Sequence, residues 1–225
     1  MEENEENKIN TEELRSEASN TVNQVKDTIK KVDIKKDSAE TKGFIVELFK
    51  SPLEKIKEVA EDTKGKYLKY AIIVLVIWVA AKFLSRCFAI GWYWRTYNIF
   101  DNIWSIGVSI ITPLLSVLVM VLIAFVLNKK NKKPLTTVIS AVTIANIPTA
   151  ITSIVSLLTI ISSQVTLITI PFASLCSVIS IVLTYFALKN IFGEENNSDF
   201  IKKFVLIETL YYVAYIILSL LKIYI

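Results

Sequence analysis

Between Lys133 and Lys189 the chain reads PLTTVISAVTIANIPTAITSIVSLLTIISSQVTLITIPFASLCSVISIVLTYFAL, which is 55 residues without Asp, Glu, Lys or Arg. As one α-helix this run would measure about 80 Å at 1.5 Å per residue, whereas the hydrocarbon core of a bilayer is about 30 Å thick. The run must therefore turn back once, and Ser162-Ser163-Gln164 is the polar point near its middle. We predict a helical hairpin that crosses the membrane twice.

Three further apolar segments extend this prediction to five spans. Residues 102–128 carry no formal charge, and residues 204–225 carry only Glu208 and Lys222. The first segment is the shortest, because only residues 70–81 are uncharged, and its flanking basic side chains would have to snorkel outward. We predict an all-α integral membrane protein with spans at about 68–90, 103–127, 135–160, 166–188 and 204–224.

The distribution of Lys and Arg predicts the orientation of these spans. Placing the N-terminus in the cytoplasm puts ten basic residues beside the inner span ends and four beside the outer ends, as the positive-inside rule expects. The inner set is Lys64, Lys66, Lys69, Lys129, Lys130, Lys132, Lys133, Lys189, Lys202 and Lys203, and the outer set is Lys82, Arg86, Arg95 and Lys222. The acidic start MEENEE is unlike a secretory signal. We predict a plasma-membrane protein with the N-terminus inside and the C-terminus outside.

The charged residues are segregated from the spans. Of 46 charged residues (25 basic and 21 acidic), 27 lie within residues 1–62. We therefore divide the chain into a charged, partly helical cytoplasmic tail (1–43), an interfacial anchor with an amphipathic helix (44–66) and a five-helix membrane domain (67–225).

Apolar residues of the tail recur at spacings of 4, 4, 3, 4 and 3, which places them on one helical face. They are Leu14, Ala18, Val22, Val25, Ile29 and Val32. This face is narrow, aliphatic and free of aromatic residues, which favours a partner helix or self-association over insertion into lipid. We predict a protein partner through residues 10–36, with a homo-oligomer and a weakly helical, solvated tail as the alternatives.

Residues 44–66 combine an apolar segment with a helix start. The segment FIVELFK at 44–50 is followed by Ser51-Pro52-Leu53-Glu54, in which Ser suits the cap, Pro the first helical position and Glu the third. Leu53, Ile56, Val59 and Ala60 share one face. We predict an anchor and an amphipathic helix that lie at the inner membrane surface.

Small and hydroxylated residues form stripes along the second, third and fourth spans. The stripes are Ser105, Ser109, Thr112 and Ser116, then Ser140, Thr143, Asn146, Thr149, Ser153 and Ser156, then Thr166, Thr169, Ala173, Ser177, Ser180 and Thr184. Such residues favour close helix packing, and a polar permeation path is the alternative. Pro113, Pro148 and Pro171 lie inside spans and are expected to bend their helices.

The composition argues against enzymatic chemistry. The chain has no His and two Cys, which excludes HExxH zinc sites and His-activated nucleophiles. Glu208 is the one acid within a span, and we expect it to reach for Lys202, Lys203 or water. We predict no catalytic, cofactor-binding or metal-binding residue and no nucleic-acid partner. The aromatic residues after the first span, Phe88 to Trp104, predict an interfacial belt, with a ligand-stacking surface as the alternative.

The order of these features resembles the bacterial branch of the Yip (Ypt/Rab-interacting protein) superfamily over residues 44–225. The resemblance rests on FIVELFKSP before the first span, on Ala145-Asn146-Ile147-Pro148 in the third, and on the turn at 197–203 before the last. The Asp-Leu-Tyr-Gly-Pro motif of the eukaryotic members has no counterpart, and Thr143-Ile144 stands where they have Gly-Tyr. The resemblance therefore implies the fold and a generic adaptor role, without binding of small GTPases.

These observations lead to two functional hypotheses. The first is a non-enzymatic membrane scaffold that recruits or organises partners through its cytoplasmic tail. The second is a passive permeation or lipid-handling protein that uses the proline-bent, hydroxyl-lined second to fourth spans. The lipid bilayer is a partner in both hypotheses.

Overall fold

The computed structural model describes residues 11–93, 98–127, 133–160, 165–193 and 196–220. All regular structure within these ranges is helical, which confirms the all-α prediction for them. The α-helices are α1 (Thr11–Lys31), α2 (Ile34–Lys50), α3 (Pro52–Glu61), α4 (Leu68–Tyr93), α5 (Ile99–Leu127), α6 (Leu135–Ala145), α7 (Ile147–Val155), α8 (Thr166–Phe192) and α9 (Asn197–Leu220). A 3-10 helix, Ser156–Ile160, follows α7.

Helices α4, α5, α8 and α9 are each long and apolar enough to cross a membrane. A fifth candidate span consists of α6, α7 and the following turn, with a bend of 44°. The structure thus supports a multi-pass membrane protein with four to five spans. The predicted turn Ser162-Ser163-Gln164, Lys222, and three of the basic residues before α6 (Lys129, Lys130 and Lys132) lie outside the described residues.

Helices α4, α5, α8 and α9 all extend beyond the predicted span limits, and α4 reaches Tyr93 while α5 begins at Ile99. Helix α8 continues past residue 188 to Phe192, and α9 begins at Asn197 rather than at residue 204. A charged side chain such as Lys189 limits the apolar length but leaves the helical backbone bonds intact. Helix α8 instead ends where Gly193 adopts φ 61°, a left-handed conformation that glycine accepts without strain.

The bend in the third candidate span lies at Asn146. Pro148 has no N–H to donate to the preceding turn, so α6 ends at Ala145 and α7 begins at Ile147. The side-chain Nδ2 of Asn146 donates to the Val142 carbonyl at 2.9 Å. The expected bend is therefore present at Pro148, whereas α5 and α8 continue through Pro113 and Pro171 without interruption.

The core extends from the membrane helices into the segment that precedes them. Helix α3 packs against α6 and α8, and Ile56, Val59 and Ala60 are fully buried. Phe44 and Leu48 of α2 are also buried. Three residues of the predicted apolar face of α3 thus pack on protein, where small residues of α6 such as Ala141 permit a close approach, whereas Leu53 of the same face is 49% exposed.

Candidate functional site

The first candidate region is the contact between the N-terminal helices and the membrane helices, which we call the tail junction. Glu17 of α1 accepts a hydrogen bond through Oε1 from the backbone N–H of Leu135, at 3.1 Å. Leu135 is the first residue of α6, where N–H groups have no partner within the helix. A carboxylate at that position also interacts favourably with the helix dipole. Glu17 therefore stabilises the start of α6.

A second set of contacts joins α2 to the start of α4. Lys69 Nζ lies 3.2 Å from Asp37 Oδ1 and 2.5 Å from Glu40 Oε2. The other oxygen of Asp37 accepts the backbone N–H of Asp33 at 2.8 Å. This backbone hydrogen bond lowers the pKa of Asp37, and the ammonium group of Lys69 acts in the same direction. Asp37 thus fixes the first turn of α2 and holds α2 on α4.

The apolar stripe of α1 is not what binds α1 to the membrane helices. Thr21 is buried in the contact, one turn after Glu17. Val22 and Ile29 remain 64% and 56% exposed, Ala18 is exposed, and Val25 is half-buried. Leu14 has no described side chain. The polar flank of α1 docks, and the predicted partner-binding face stays open beside it.

A charged cluster fixes the turn between α3 and α4. Lys55 Nζ lies 2.9 Å from Glu58 and 3.0 Å from Glu47, and the Tyr67 hydroxyl donates to Glu58 at 2.8 Å. Burial, reinforced by Glu58, raises the pKa of Tyr67 to about 12. The hydrogen bonds from Lys55 and Tyr67 lower the pKa of Glu58. Gly65, at φ 73°, supplies the left-handed residue that this turn requires.

The second candidate region is a cavity of about 190 Å³ between α4 and α5, which we call the α4–α5 cavity. Its walls are Lys82, Ser85, Arg86 and Ala89 of α4 and Ser105, Val108, Ser109 and Thr112 of α5. Lys82 and Arg86 are one turn apart, so they occupy one face of α4. That face meets the hydroxyl stripe of α5. The volume far exceeds the 10–15 Å³ that one water molecule needs.

The hydrogen bonds of the α4–α5 cavity leave several donors available. Arg86 Nε donates to Ser105 Oγ. The hydroxyls of Ser109 and Thr112 donate to carbonyls of their own helix, at 2.7 and 2.8 Å. No described Asp or Glu lies within ion-pair distance of Lys82 or Arg86, and none of the described residues that line the cavity carries a carboxylate. The cavity is therefore a cationic site without a described counter-charge.

The hydroxyls of the third and fourth spans join helices to one another. Ser180 of α8 accepts both the N–H and the hydroxyl of Thr149, at 3.2 and 2.8 Å. Trp78 Nε1 donates to Ser153 at 3.0 Å in the interior. Ser177, on the same predicted stripe, is exposed. These contacts are of the helix-packing kind that the stripes predicted.

Glu208 is half-buried in α9 and makes no ion pair with a described residue. Lys202 instead lies 3.9 Å from Asp199, and Lys203 lies 6.0 Å from the centre of the Phe192 ring. The expected contact of Glu208 with these lysines is thus not formed. Among the described residues, no three His, Cys, Asp or Glu side chains converge as a metal site would require.

The aromatic residues around the α4–α5 turn are described in part. Phe88, Phe100 and Trp104 are exposed at the ends of the two helices. The side chains of Trp92, Tyr93, Trp94 and Tyr97 lie outside the described residues. The exposed rings flank the same end of the bundle as the α4–α5 cavity.

Sequence reasoning identified the components of both regions separately but missed their combination. In the sequence, Lys82 and Arg86 stand only as charges beside the outer end of a span. Ser105, Ser109 and Thr112 stand only as a stripe that favours helix packing. The spacing of Lys82 and Arg86 was the available signal, because a helical turn separates them just as it separates the α5 hydroxyls. Glu17 gave no signal, since its partner is a backbone group.

Comparison with family models, curated proteins and solved structures gives no match to this chain. The resemblance to the Yip superfamily therefore rests on the sequence features alone and stays a prediction.

Proposed function

We propose that this protein is a non-enzymatic, multi-pass membrane scaffold of the Yip-like type, which recruits a protein partner through the exposed apolar stripe of α1. The carrying observation is that Ala18, Val22 and Ile29 are exposed although α1 is docked through Glu17 and Thr21. Docking holds the stripe in a fixed position at the membrane, so a partner binds a preformed surface and loses less conformational freedom.

The proposed partner surface is an amphipathic helix. From Ala18 to Val32 the apolar residues recur at 4, 3, 4 and 3, the spacing of a coiled-coil seam. The absence of aromatic residues disfavours insertion into lipid. A second copy of this chain presents the same spacing and is the alternative occupant, which the experiment below distinguishes.

The proposed orientation places the tail junction in the cytoplasm. Basic residues flank the start of α4, the start of α6, the end of α8 and the first turns of α9, which are the span ends that this orientation places inside. The described ones are Lys64, Lys66, Lys69, Lys133, Lys189, Lys202 and Lys203. The positive-inside rule then supports a cytoplasmic N-terminus in the plasma membrane, and five crossings place the C-terminus outside.

Site-specific photo-crosslinking from residue 18 of the full-length protein in native membranes tests the proposal. We expect an adduct with a distinct protein, which disappears in the variant Val22→Glu with Ile29→Glu. The matched control is Asn20→Glu with Asn23→Glu, which adds the same charge to exposed positions away from the stripe and should retain the adduct. An adduct with only this chain would replace recruitment by self-association, and equal adducts in both variants would contradict the proposal.

The second candidate function is passive permeation or lipid handling by the second to fourth spans. The α4–α5 cavity favours it, because hydroxyls of the second span line that cavity. Lipid transfer and solute flux in reconstituted vesicles should then fall when Ser109 and Thr112 are both replaced by Val. The replacement of Asn146, Ser177 and Ser180 by Ala tests the third and fourth spans in the same assay.

A further inference from the structure

We infer that the α4–α5 cavity binds a phosphate group, through Lys82 and Arg86 of α4. This chemistry is shared by the headgroup of an anionic phospholipid and by soluble phosphate. The inference is independent of the tail, because none of its residues belongs to the tail junction.

The positive charges of Lys82 and Arg86 favour the binding of an anion in the cavity. Residues four apart on a helix have Cβ atoms about 5–6 Å apart, so Lys82 and Arg86 place two like charges beside each other. No described carboxylate offsets them. A cation within a membrane span is costly unless it is paired or solvated. An anion bound between the two side chains would reduce both the repulsion and the cost of desolvation.

The donor geometry matches a phosphate better than a monodentate anion. Arg86 donates a hydrogen bond from Nε to Ser105. This bond fixes the guanidinium group and leaves its terminal nitrogens without a described partner. An arginine can donate to two phosphate oxygens in parallel, and a lysine adds a compact charge. The hydroxyl of Ser85 also lines the cavity and has no described partner. Three donor groups of α4 therefore converge from one side.

The depth of the cavity is compatible with a lipid headgroup. Counted from Leu68 at 1.5 Å per residue, Lys82 lies about 21 Å and Arg86 about 27 Å along α4, against a hydrocarbon core of about 30 Å. The side chain of Arg86 is exposed and can reach the interface by snorkelling. Phe88 and Trp104, exposed nearby, are of the type that occupies headgroup depth.

Native mass spectrometry of the purified full-length protein tests this inference with three separate probes. They are phosphatidylglycerol as the anionic diester, phosphatidylcholine as the zwitterionic diester, and inorganic phosphate. We expect phosphatidylglycerol to bind in preference to phosphatidylcholine. The variant Lys82→Gln with Arg86→Gln should bind it about a hundredfold more weakly, because each of the two lost charge-assisted hydrogen bonds accounts for about tenfold.

Two further variants separate binding from folding and from overall charge. Lys57→Gln with Lys202→Gln removes the same charge from exposed positions and should leave binding unchanged. Ser109→Leu keeps both cations but fills the cavity, and should weaken binding to a similar extent. The elution volume in size-exclusion chromatography checks that each variant is folded.

The outcomes are distinguishable. Binding of phosphatidylglycerol that depends on Lys82 and Arg86, and that millimolar phosphate does not displace, supports a lipid source. Binding of inorganic phosphate with the same dependence supports a soluble source. Equal binding by the wild type and the Lys82→Gln, Arg86→Gln variant, or no binding of any probe, would overturn the inference.

Discussion

Glu17 in the tail accepts a hydrogen bond from the backbone N–H of Leu135, across 118 positions of the chain. The tail is thus joined to the first residue of α6, where the bent candidate span begins. Lys69 of α4 makes a second contact between the tail and a membrane helix, because it forms ion pairs with Asp37 and Glu40 of α2. Deletion of residues 1–42 would remove all these acidic partners together, so point variants are the cleaner probes of tail function.

Replacing Glu17 by Ala should destabilise the docking of α1 by about 1 kcal/mol, the usual cost of losing a side-chain cap. The expected result is faster amide hydrogen exchange in α1 and in the first turn of α6, with α8 unchanged. Asp27→Ala is the control, because Asp27 is an exposed acid of the same helix. Equal exchange in the two variants would show that the Glu17 contact contributes nothing.

Acidification should weaken the contact between α2 and α4. The folded state lowers the pKa of Asp37, so its contribution to stability is complete above the ordinary Asp value of about 4. That contribution is lost as the pH falls from there through the lower folded-state value. Hydrogen exchange in α2 measured from pH 6 to pH 2.5 checks this, after correction for the intrinsic rate. In Asp37→Asn the contribution of this group to the pH dependence should be absent.

Replacing Tyr67 by Phe should lower the free energy of unfolding by about 1 kcal/mol, because the hydrogen bond to Glu58 is lost. Burial and Glu58 raise the pKa of Tyr67 to about 12. The wild type should therefore lose stability as the pH rises from about 10, the ordinary Tyr value, to about 12. Unfolding in a denaturing detergent series at pH 8 and pH 11 measures both effects. Tyr212→Phe on the exposed side of α9 should reproduce neither.

Replacing Pro148 by Ala should restore an N–H donor to the third span and reduce its bend. Straightening the 44° bend would lengthen the distance between Leu135 and Leu158 by about 2–3 Å, given helical arms at 1.5 Å per residue. Pulsed electron paramagnetic resonance between spin labels at these positions measures the change. Pro171→Ala is the control, because α8 is already continuous there, and an unchanged distance in Pro148→Ala would mean that packing against α8 imposes the bend.

The apolar helices could be predicted from the sequence because the length of a charge-free run can be read from each segment by itself. Residues 134–188 alone required a turn, and Pro148 alone indicated the break at Asn146. The tail junction and the α4–α5 cavity depend instead on which segments meet and in what register. The helical period placed Ser109 on a stripe, but only the packing of α5 on α4 brings that stripe to Lys82.

The helix ends illustrate the same limit. Lys189 interrupts the apolar run, yet α8 passes it and ends at Gly193, where the backbone conformation changes. Charge marks where a chain leaves the hydrocarbon, whereas glycine marks where the helix ends. A membrane span and the helix that contains it therefore have different boundaries. Hydropathy predicts only the boundaries of the span.

The burial of α3 has a consequence for the order of events during synthesis. Ile56, Val59 and Ala60 pack against α6 and α8, and α8 begins about 100 residues later in the chain. At roughly 5–20 residues per second, the ribosome needs about 5 to 20 s to supply that partner. Until then the face of α3 that α8 covers is open to the lipid surface. The amphipathic pattern of α3 therefore suits two partners in succession, the lipid surface for the nascent chain and the membrane helices for the finished fold.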